Sequence, residues 1–246
     1  MKRSFQARLA ETPADVDAAQ ALRYAAFIAE TGAAPRQDGR DADAYDDLCR
    51  HVLIEDAESA DLAATFRLML FTSGEDIAQS YSAQYYELDA LTRYDKPMVE
   101  MGRFCIAPGQ SDPDILRVAW GAVTAFVDRE GAELLFGCSS FHGTDTRAYA
   151  DAFAMLKERH LAPRRWLPRI KAPNVFRYAH RLRRAPDRKR ALKTMPPLLR
   201  SYLNMGGWVS DHAVVDTDLN TLHVFTGLEV RAIPPARVRA LRAVAG

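Results

Sequence analysis

Cysteine is scarce in this sequence, which has only three cysteines among 246 residues. Cys49, Cys105 and Cys138 are widely spaced, and each lies in or beside an apolar stretch. An odd number of dispersed cysteines does not make a disulfide framework, and the spacing is not that of a zinc site. The pattern is typical of small buried thiols in a reduced, cytoplasmic protein. The six histidines are scattered as well, so no zinc site is predicted.

A long apolar run is also missing. The longest, Val118–Val127, has about half the length that a membrane span needs. No apolar segment follows the charged residues Lys2 and Arg3, so no secretory signal is predicted. We therefore expect a soluble, cytoplasmic protein whose only membrane contact would be peripheral, at the inner membrane face.

The sequence has no overall excess of one charge, because it contains 33 basic and 32 acidic residues. The distribution is uneven, since residues 164–193 contain twelve Lys and Arg but a single acid, Asp187. Such a segment attracts an acidic protein or an anionic lipid surface, unless it is only a solvated face. No nucleic-acid reading motif accompanies it, so nucleic acid is not an expected partner. The candidate docking residues are Arg164, Arg165, Arg169, Lys171, Arg181, Arg183 and Arg184.

The order of predicted strands and helices is that of a single α/β domain over residues 1–246, built on a mixed sheet. Strands are predicted at about 5–9, 50–56, 62–71, 98–106, 133–137, 208–215 and 222–230. Helices are predicted from Thr12 to about Glu30, at about 112–129, 144–159 and 197–205, and from 235. Residues 81–92 are ambiguous, with a short helix as one interpretation. The basic segment is predicted to be irregular because Pro163 precedes it and three further prolines, Pro168, Pro173 and Pro186, interrupt it.

An acidic loop follows the first helix. Five aspartates fall within ten residues, with one arginine among them. Such a cluster either binds a small dication or a metal ion, or is simply solvated. Tyr45 lies inside the cluster and favours a loop anchored against the core. The five aspartates are Asp38, Asp41, Asp43, Asp46 and Asp47.

Three charged residues lie inside otherwise apolar strands, where an unpaired charge is costly to bury. Arg67 lies between Phe66 and Leu68, and Glu100 and Arg103 lie in the strand at 98–106. In a regular strand Glu100 and Arg103 would face opposite sides. A bulge at the intervening glycine, Gly102, would bring them to one face. The alternative is a salt bridge on the solvated face of an edge strand.

Cys138 and His142 stand four residues apart and suggest a thiol nucleophile with a nearby base. A small residue at the end of a buried strand explains Cys138 more simply, because it follows three apolar residues, 134–136.

An ordered set of motifs resembles one known family, the bacterial ornithine-lipid N-acyltransferases of the GNAT superfamily. A more distant likeness links the chain to acyl-homoserine-lactone synthases, through Arg23, Asp43, Asp46, Arg67, Glu100 and Arg103. The resemblance covers roughly residues 20–230. The motifs are Leu22-Arg23-Tyr24 with Phe27, the run Asp41–Asp46 with Cys49 and His51, Thr65–Leu68, Glu100–Cys105, Leu135–Ser140, and Pro196–Leu203 with Gly206 and Asp216.

The resemblance implies a GNAT-type mixed, mostly antiparallel sheet with a splayed central strand pair, flanked by helices. It also implies an acyltransferase that moves a 3-hydroxy fatty acyl group from acyl carrier protein to the α-amine of ornithine, giving lyso-ornithine lipid. The acyl-phosphopantetheine of the carrier would be the donor substrate. No metal or redox cofactor is implied.

Site roles follow from the same resemblance, position by position. Glu100 would be the base, and Arg103 would act with it in catalysis. Asp43, Asp46 and Arg67 would form an electrostatic network with Arg103 that shapes the amino-acid site, and Arg23 would lie nearby.

The turn at residues 107–113 bears on the donor. Acetyl-CoA enzymes commonly have a glycine-rich turn here whose amides hold the pyrophosphate. This turn has one glycine, and its two prolines remove two amide donors, which favours a carrier-bound donor over CoA. Alternatives remain open: glutamine or another amine as acceptor, a Cys138-dependent thioesterase, or a non-enzymatic basic module that binds membranes or RNA.

Overall fold

A computed structural model of the chain describes residues 4–29, 31, 33, 35–36 and 38–245. The strands of these residues are β1 (Phe5–Leu9), β2 (Arg50–Asp56), β3 (Leu62–Phe71), β4 (Tyr86–Glu87), β5 (Met98–Ile106), β6 (Leu134–His142), β7 (Arg169–Ile170), β8 (Val175–Phe176), β9 (Trp208–Val209), β10 (Ala213–Asp216) and β11 (Thr221–Glu229). Their α-helices are α1 (Pro13–Phe27), α2 (Pro113–Glu130), α3 (Ala150–Arg159), α4 (Tyr178–Arg181), α5 (Arg188–Thr194), α6 (Pro197–Asn204) and α7 (Pro235–Ala245).

The chain groups into two compact units. Unit 1 comprises residues 1–70, 99–132 and 235–246, and unit 2 comprises residues 71–98 and 133–234. The single-domain organisation expected from the sequence stays a prediction.

Unit 1 contains the neighbouring strands β1, β2, β3 and β5. β2 pairs antiparallel with β1 on one side and with β3 on the other, so the predicted strand pair at 50–56 and 62–71 is confirmed. Its register places His51 opposite Arg67. Helix α1 begins where the sequence predicts, because Thr12 and Asp15 form a capping box ahead of Pro13. The predicted end of this helix, Glu30, lies outside the described residues.

Helix α2 supplies the apolar face that packs in unit 1. Asp112 caps it and Pro113 occupies its first turn, while Gly131 ends it in the left-handed conformation, with φ of 61°. Its buried side chains include Val118, Trp120 and Phe126, and α7 packs against it. Burial of this stripe is what ties α2 to the unit.

Unit 2 is built on the long antiparallel pair of β6 and β11, extended by β10 and then β8. β9 also pairs with β11, and β4 pairs with β7 in a separate two-stranded sheet. Phe141, Phe153 and Tyr178 meet in its core, at ring-centroid distances of 4.9 and 5.0 Å. The mixed α/β class with mostly antiparallel strands flanked by helices is therefore confirmed. The splayed strand pair stays a prediction.

Three local expectations were wrong. Residues 81–92 form two 3₁₀ turns around strand β4 and no α-helix, because Tyr86 is fully buried and donates its hydroxyl to the His223 carbonyl oxygen, 2.8 Å away. Strand β6 continues past Gly137 to His142, since it pairs along its whole length with β11. The basic segment is not irregular throughout, because Asp187 caps α5 after the last of its prolines.

Two of the cysteines also differ from expectation. Cys105 is buried as predicted, but Cys49 and Cys138 are only half-buried. Cys49 follows a 3₁₀ turn just before β2, where a loop leaves it partly covered. Among the described residues, no helix is long and apolar enough to span a membrane.

Candidate active site

The acidic loop folds inward onto arginines. Asp46 begins a 3₁₀ turn in this loop and is buried. Arg23, on α1, places its Nη1 2.7 Å from Asp46 Oδ1 and its Nη2 3.0 Å from Asp46 Oδ2. Arg67, on β3, places its Nη1 2.7 Å from the same Oδ1, and Gln20 donates to Oδ2 at 3.0 Å. One carboxylate thus joins the helix and the strand.

Asp43 is held by two more of these contacts. Arg67 binds its two carboxylate oxygens at 2.6 and 2.9 Å, the paired geometry that suits a planar guanidinium. Arg103, on β5, places its Nη2 3.1 Å from Asp43 Oδ2. The Asp43 side chain is 21% exposed, so it is the carboxylate of this network nearest to solvent.

Asp41 completes the network, although the site roles implied by the family resemblance do not include it. It is fully buried, and its carboxylate lies 3.1 Å from Arg23 Nε, 3.1 Å from Arg103 Nε and 2.7 Å from Arg36 Nη1. Arg23 and Arg67 are buried in apolar elements, and the Arg103 side chain is only 9% exposed, so these three arginines require carboxylates to compensate them. That requirement was the available signal for Asp41, and it was missed.

The carboxylates of Asp43 and Asp46 stay ionised. Burial alone would raise the pKa of Asp46, but the hydrogen bonds and charges of Arg23 and Arg67 outweigh burial and hold that pKa below its usual range. The same balance, with Arg67 and Arg103 as the cations, lowers the pKa of Asp43. The charges of these aspartates are therefore already compensated by arginines. A small dication has little uncompensated charge to bind here, apart from the exposed edge of Asp43.

The strand at 98–106 is irregular, but not where it was expected. The left-handed backbone conformation falls on Arg103, with φ of 54°, one residue after Gly102. A non-glycine residue adopts this conformation only when its surroundings hold it there. Here the Asp41 and Asp43 carboxylates bind the Arg103 side chain. The turn at Arg103 thus brings its guanidinium to the acidic loop.

Glu100 is buried on the same strand, with 4% of its surface exposed. Burial raises the pKa of Tyr45, and the Glu100 charge raises it further. Burial also raises the pKa of the Cys49 thiol to about 12; the Arg67 charge opposes this rise and the Glu100 charge adds to it. Glu100 therefore lies within electrostatic reach of Tyr45, Cys49 and the network. A largely buried carboxylate beside fixed charges is the environment in which enzymes tune a general base.

His51, on β2, makes a hydrogen bond to the backbone of the acidic loop. Its Nε2 lies 3.0 Å from the Asp46 carbonyl oxygen, which can only accept a hydrogen bond, so Nε2 carries the proton. Burial lowers the pKa of His51, and the hydrogen bond to Asp46 only partly opposes that effect. His51 is therefore neutral in the folded protein at pH 7.

Acidification is expected to weaken unit 1 in two steps. The folded-state pKa of His51 lies below its unfolded value, so as the pH falls the His51 imidazole is protonated first in the unfolded chain. Stability is therefore lost as the pH falls below about 6.5. The lowered pKa values of Asp43 and Asp46 add a second loss below about pH 4. Urea unfolding from about pH 7 to about pH 5 should show a smaller loss in His51→Gln than in the unchanged protein. Equal losses would contradict the assignment.

Cys138 and His142 do not form a nucleophile and base. Both lie on β6, where four residues separate them by about 13 Å along the strand. The Cys138 Sγ lies 3.5 Å from Ser82 Oγ instead. This geometry argues against the thioesterase hypothesis. No group of three or more His, Cys, Asp or Glu in the described part of the chain is arranged to hold a metal ion.

In the turn after β5, an aspartate side chain caps the N-terminus of α2. The Asp112 carboxylate accepts from the Asp114 amide at 2.9 Å, at the N-terminus of α2, and Pro113 has no amide to offer. The helix end that would attract a pyrophosphate is thus already occupied by a carboxylate of this chain.

Four of the seven candidate docking residues are engaged inside unit 2. Arg165 binds Glu229 at 2.9 Å, Arg169 binds Asp89, Lys171 donates to the Ala83 carbonyl at 2.6 Å, and Arg184 binds Asp151 at 2.5 Å. The other three are exposed and have no ion pair within the described residues; they are Arg164, Arg181 and Arg183.

Comparison with known proteins places these observations in a family. A protein-family model described as an acetyltransferase (GNAT) domain matches residues 22–121. An L-ornithine N(alpha)-acyltransferase of Rhodobacter capsulatus is 33% identical, over 94% of this chain and 92% of that protein. One of Brucella abortus is 32% identical, over 94% of this chain and 86% of that protein.

Solved structures share the fold at low identity. FeeM, an N-acyl amino acid synthase from uncultured soil microbes, has a TM-score of 0.50 and 11% identity, covering 99% of this chain and 98% of that chain. BjaI, a CoA-dependent acyl-homoserine lactone synthase, has a TM-score of 0.51 and 14% identity, covering 100% of this chain and 90% of that chain.

Proposed function

Because the chain belongs to the family of L-ornithine N(alpha)-acyltransferases, and is thus an acyltransferase that acts on amino acids, we propose that it acylates the α-amine of L-ornithine. The donor is a 3-hydroxy fatty acyl group on acyl carrier protein, and the product is lyso-ornithine lipid. The observation that carries the proposal is the similarity to ornithine acyltransferases over 94% of the chain.

The occupied N-terminus of α2 supports a carrier-bound donor. CoA brings a pyrophosphate, and the Asp112 carboxylate that caps α2 repels such an anion. The phosphopantetheine arm of a carrier protein has a single phosphate and no nucleotide, so it depends less on amides at this position.

Unit 1 supplies the groups for the acceptor. Glu100 accepts a proton from the α-ammonium, and the resulting amine forms a bond to the thioester carbonyl carbon. Backbone amides beside the irregular part of β5 stabilise the oxyanion. The carbon–sulfur bond then breaks, the thiolate takes one proton, and the other proton leaves to water through Glu100. No electrons are exchanged, so the reaction needs no redox cofactor.

The arginine–aspartate network positions the acceptor. Arg67 and Arg103 are fixed by the loop, with Asp43 at the exposed edge, where the amino acid arrives. Arg23 and Asp46 form a buried ion pair that holds this loop rigid. Rigid placement of the reacting amine is the main contribution such a network makes to rate.

Donor choice and product together test the proposal. The full chain is incubated with ornithine and either 3-hydroxyacyl-carrier protein or the matching 3-hydroxyacyl-CoA, and products are identified by mass spectrometry. We expect the ornithine amide, formed faster from the carrier. Failure to form any amide would refute the proposal, and free fatty acid that disappears in Cys138→Ala would establish the thioesterase alternative.

A further inference from the structure

The positive charge of residues 164–193 is concentrated in its second half. In the first half, Arg165 and Arg169 are compensated by Glu229 and Asp89. Residues 181–200 contain eight Lys and Arg and one acid, Asp187. The one further acid that they bind, within the described residues, is Asp151 on α3. Six positive charges therefore remain uncompensated on this part of unit 2.

Helix α5 presents an amphipathic outward face. Ala191 is buried against the core, whereas Arg188, Lys189, Leu192 and Lys193 are exposed. Positions i, i+1, i+4 and i+5 share one side of a helix, so these four residues form a single face. Leu192 is 49% exposed at its centre, surrounded by three cations. We call this face, together with Arg200, the α5 surface.

The α5 surface is fixed in place. Asp151 accepts from Arg184 at 2.5 Å and from the Asp187 amide at 3.0 Å, and this anchors the start of α5 to α3. Arg200 donates to the Leu192 carbonyl at 3.3 Å, which links α5 to α6. The cations of this surface are thus presented by a folded element and not by a flexible tail.

We propose that the α5 surface binds the anionic face of a phospholipid bilayer, with Leu192 inserted below the headgroups. An apolar side chain ringed by Lys and Arg is the pattern of interfacial helices, whose cations contact lipid phosphates while the apolar residue enters the acyl boundary. Charge alone fits an acidic carrier protein too, but Leu192 at the centre favours a bilayer. Membrane binding does not need turnover, so this proposal stands apart from the proposed function.

Flotation of the full chain with vesicles tests the proposal. The vesicles contain phosphatidylcholine, with or without phosphatidylglycerol. We expect binding only when phosphatidylglycerol is present, and weakening at about 0.5 M salt. Lys189→Glu/Lys193→Glu should lower the partition coefficient at least about tenfold. Leu192→Ser should lower it while leaving the salt dependence unchanged, because it removes the inserted group and no charge.

The matched control is Arg237→Glu/Arg239→Glu, which changes the net charge equally but at two exposed positions of α7. We expect this control to bind like the unchanged chain. Equal loss in the control, or unchanged vesicle binding in Lys189→Glu/Lys193→Glu, would overturn the proposal. If Lys189→Glu/Lys193→Glu binds vesicles normally but has a raised KM for the acyl-carrier protein, the α5 surface binds the carrier protein instead of a bilayer.

Discussion

Glu100→Gln is expected to lower kcat by about 10²–10⁴-fold, the usual contribution of a general base. Glutamine keeps the size of the side chain but cannot accept the ammonium proton. The variant should remain folded by circular dichroism, because glutamine fills the same space as glutamate. Asp47→Asn, at an exposed position of the acidic loop, is the control and should keep normal turnover.

The pH profile separates a base from an orienting residue. If Glu100 is the base, the rise of kcat/KM with pH that reflects its deprotonation disappears in Glu100→Gln. If Glu100 only orients Arg103, that limb persists while KM rises. Near-normal kcat in Glu100→Gln would remove Glu100 from the chemistry altogether.

Asp46→Asn is expected to have the largest effect on stability, a loss of about 3–5 kcal/mol in the free energy of unfolding. Asp46 is buried and receives both Arg23 and Arg67, so its neutral replacement leaves two buried guanidinium groups under-compensated. Such a loss is a large fraction of the roughly 5–15 kcal/mol that stabilises most proteins.

Urea denaturation followed by tryptophan fluorescence measures this loss. Arg40→Ala is the control, because Arg40 and its partner Asp17 are both exposed and such surface pairs contribute about 1 kcal/mol or less. A loss in Asp46→Asn as small as that of Arg40→Ala would mean that the network does not hold unit 1 together.

The sequence predicted local features well where one interaction dominates. The capping box at Thr12 and the antiparallel strands at 50–56 and 62–71 follow from turn and capping chemistry and from alternation over a few residues. The network of Arg67 and Arg103 with Asp43 and Asp46 was implied by the family resemblance and not by the charge pattern alone. In the structure Arg67 binds both aspartates and Arg103 binds Asp43.

Features that depend on distant residues could not be predicted in this way. The left-handed conformation of Arg103 is stabilised by carboxylates about sixty residues earlier in the chain, so the local sequence placed the irregularity at Gly102. Tyr86 belongs to a strand because it pairs with Ile170. Arg169 and Arg184 are candidate docking residues by sequence, and their acid partners, Asp89 and Asp151, are too remote in the chain for a local pattern to indicate them.

A competition among amino acids tests whether the α-amine of ornithine is the acceptor. The full chain receives 3-hydroxyacyl-carrier protein with ornithine, glutamine and lysine at equal concentrations, and the amides are quantified by mass spectrometry. Ornithine labelled with ¹⁵N at the α-position shows which amine is acylated. We predict Nα-(3-hydroxyacyl)ornithine as the dominant product. A dominant glutamine or lysine amide, or acylation at the δ-amine, would contradict the account.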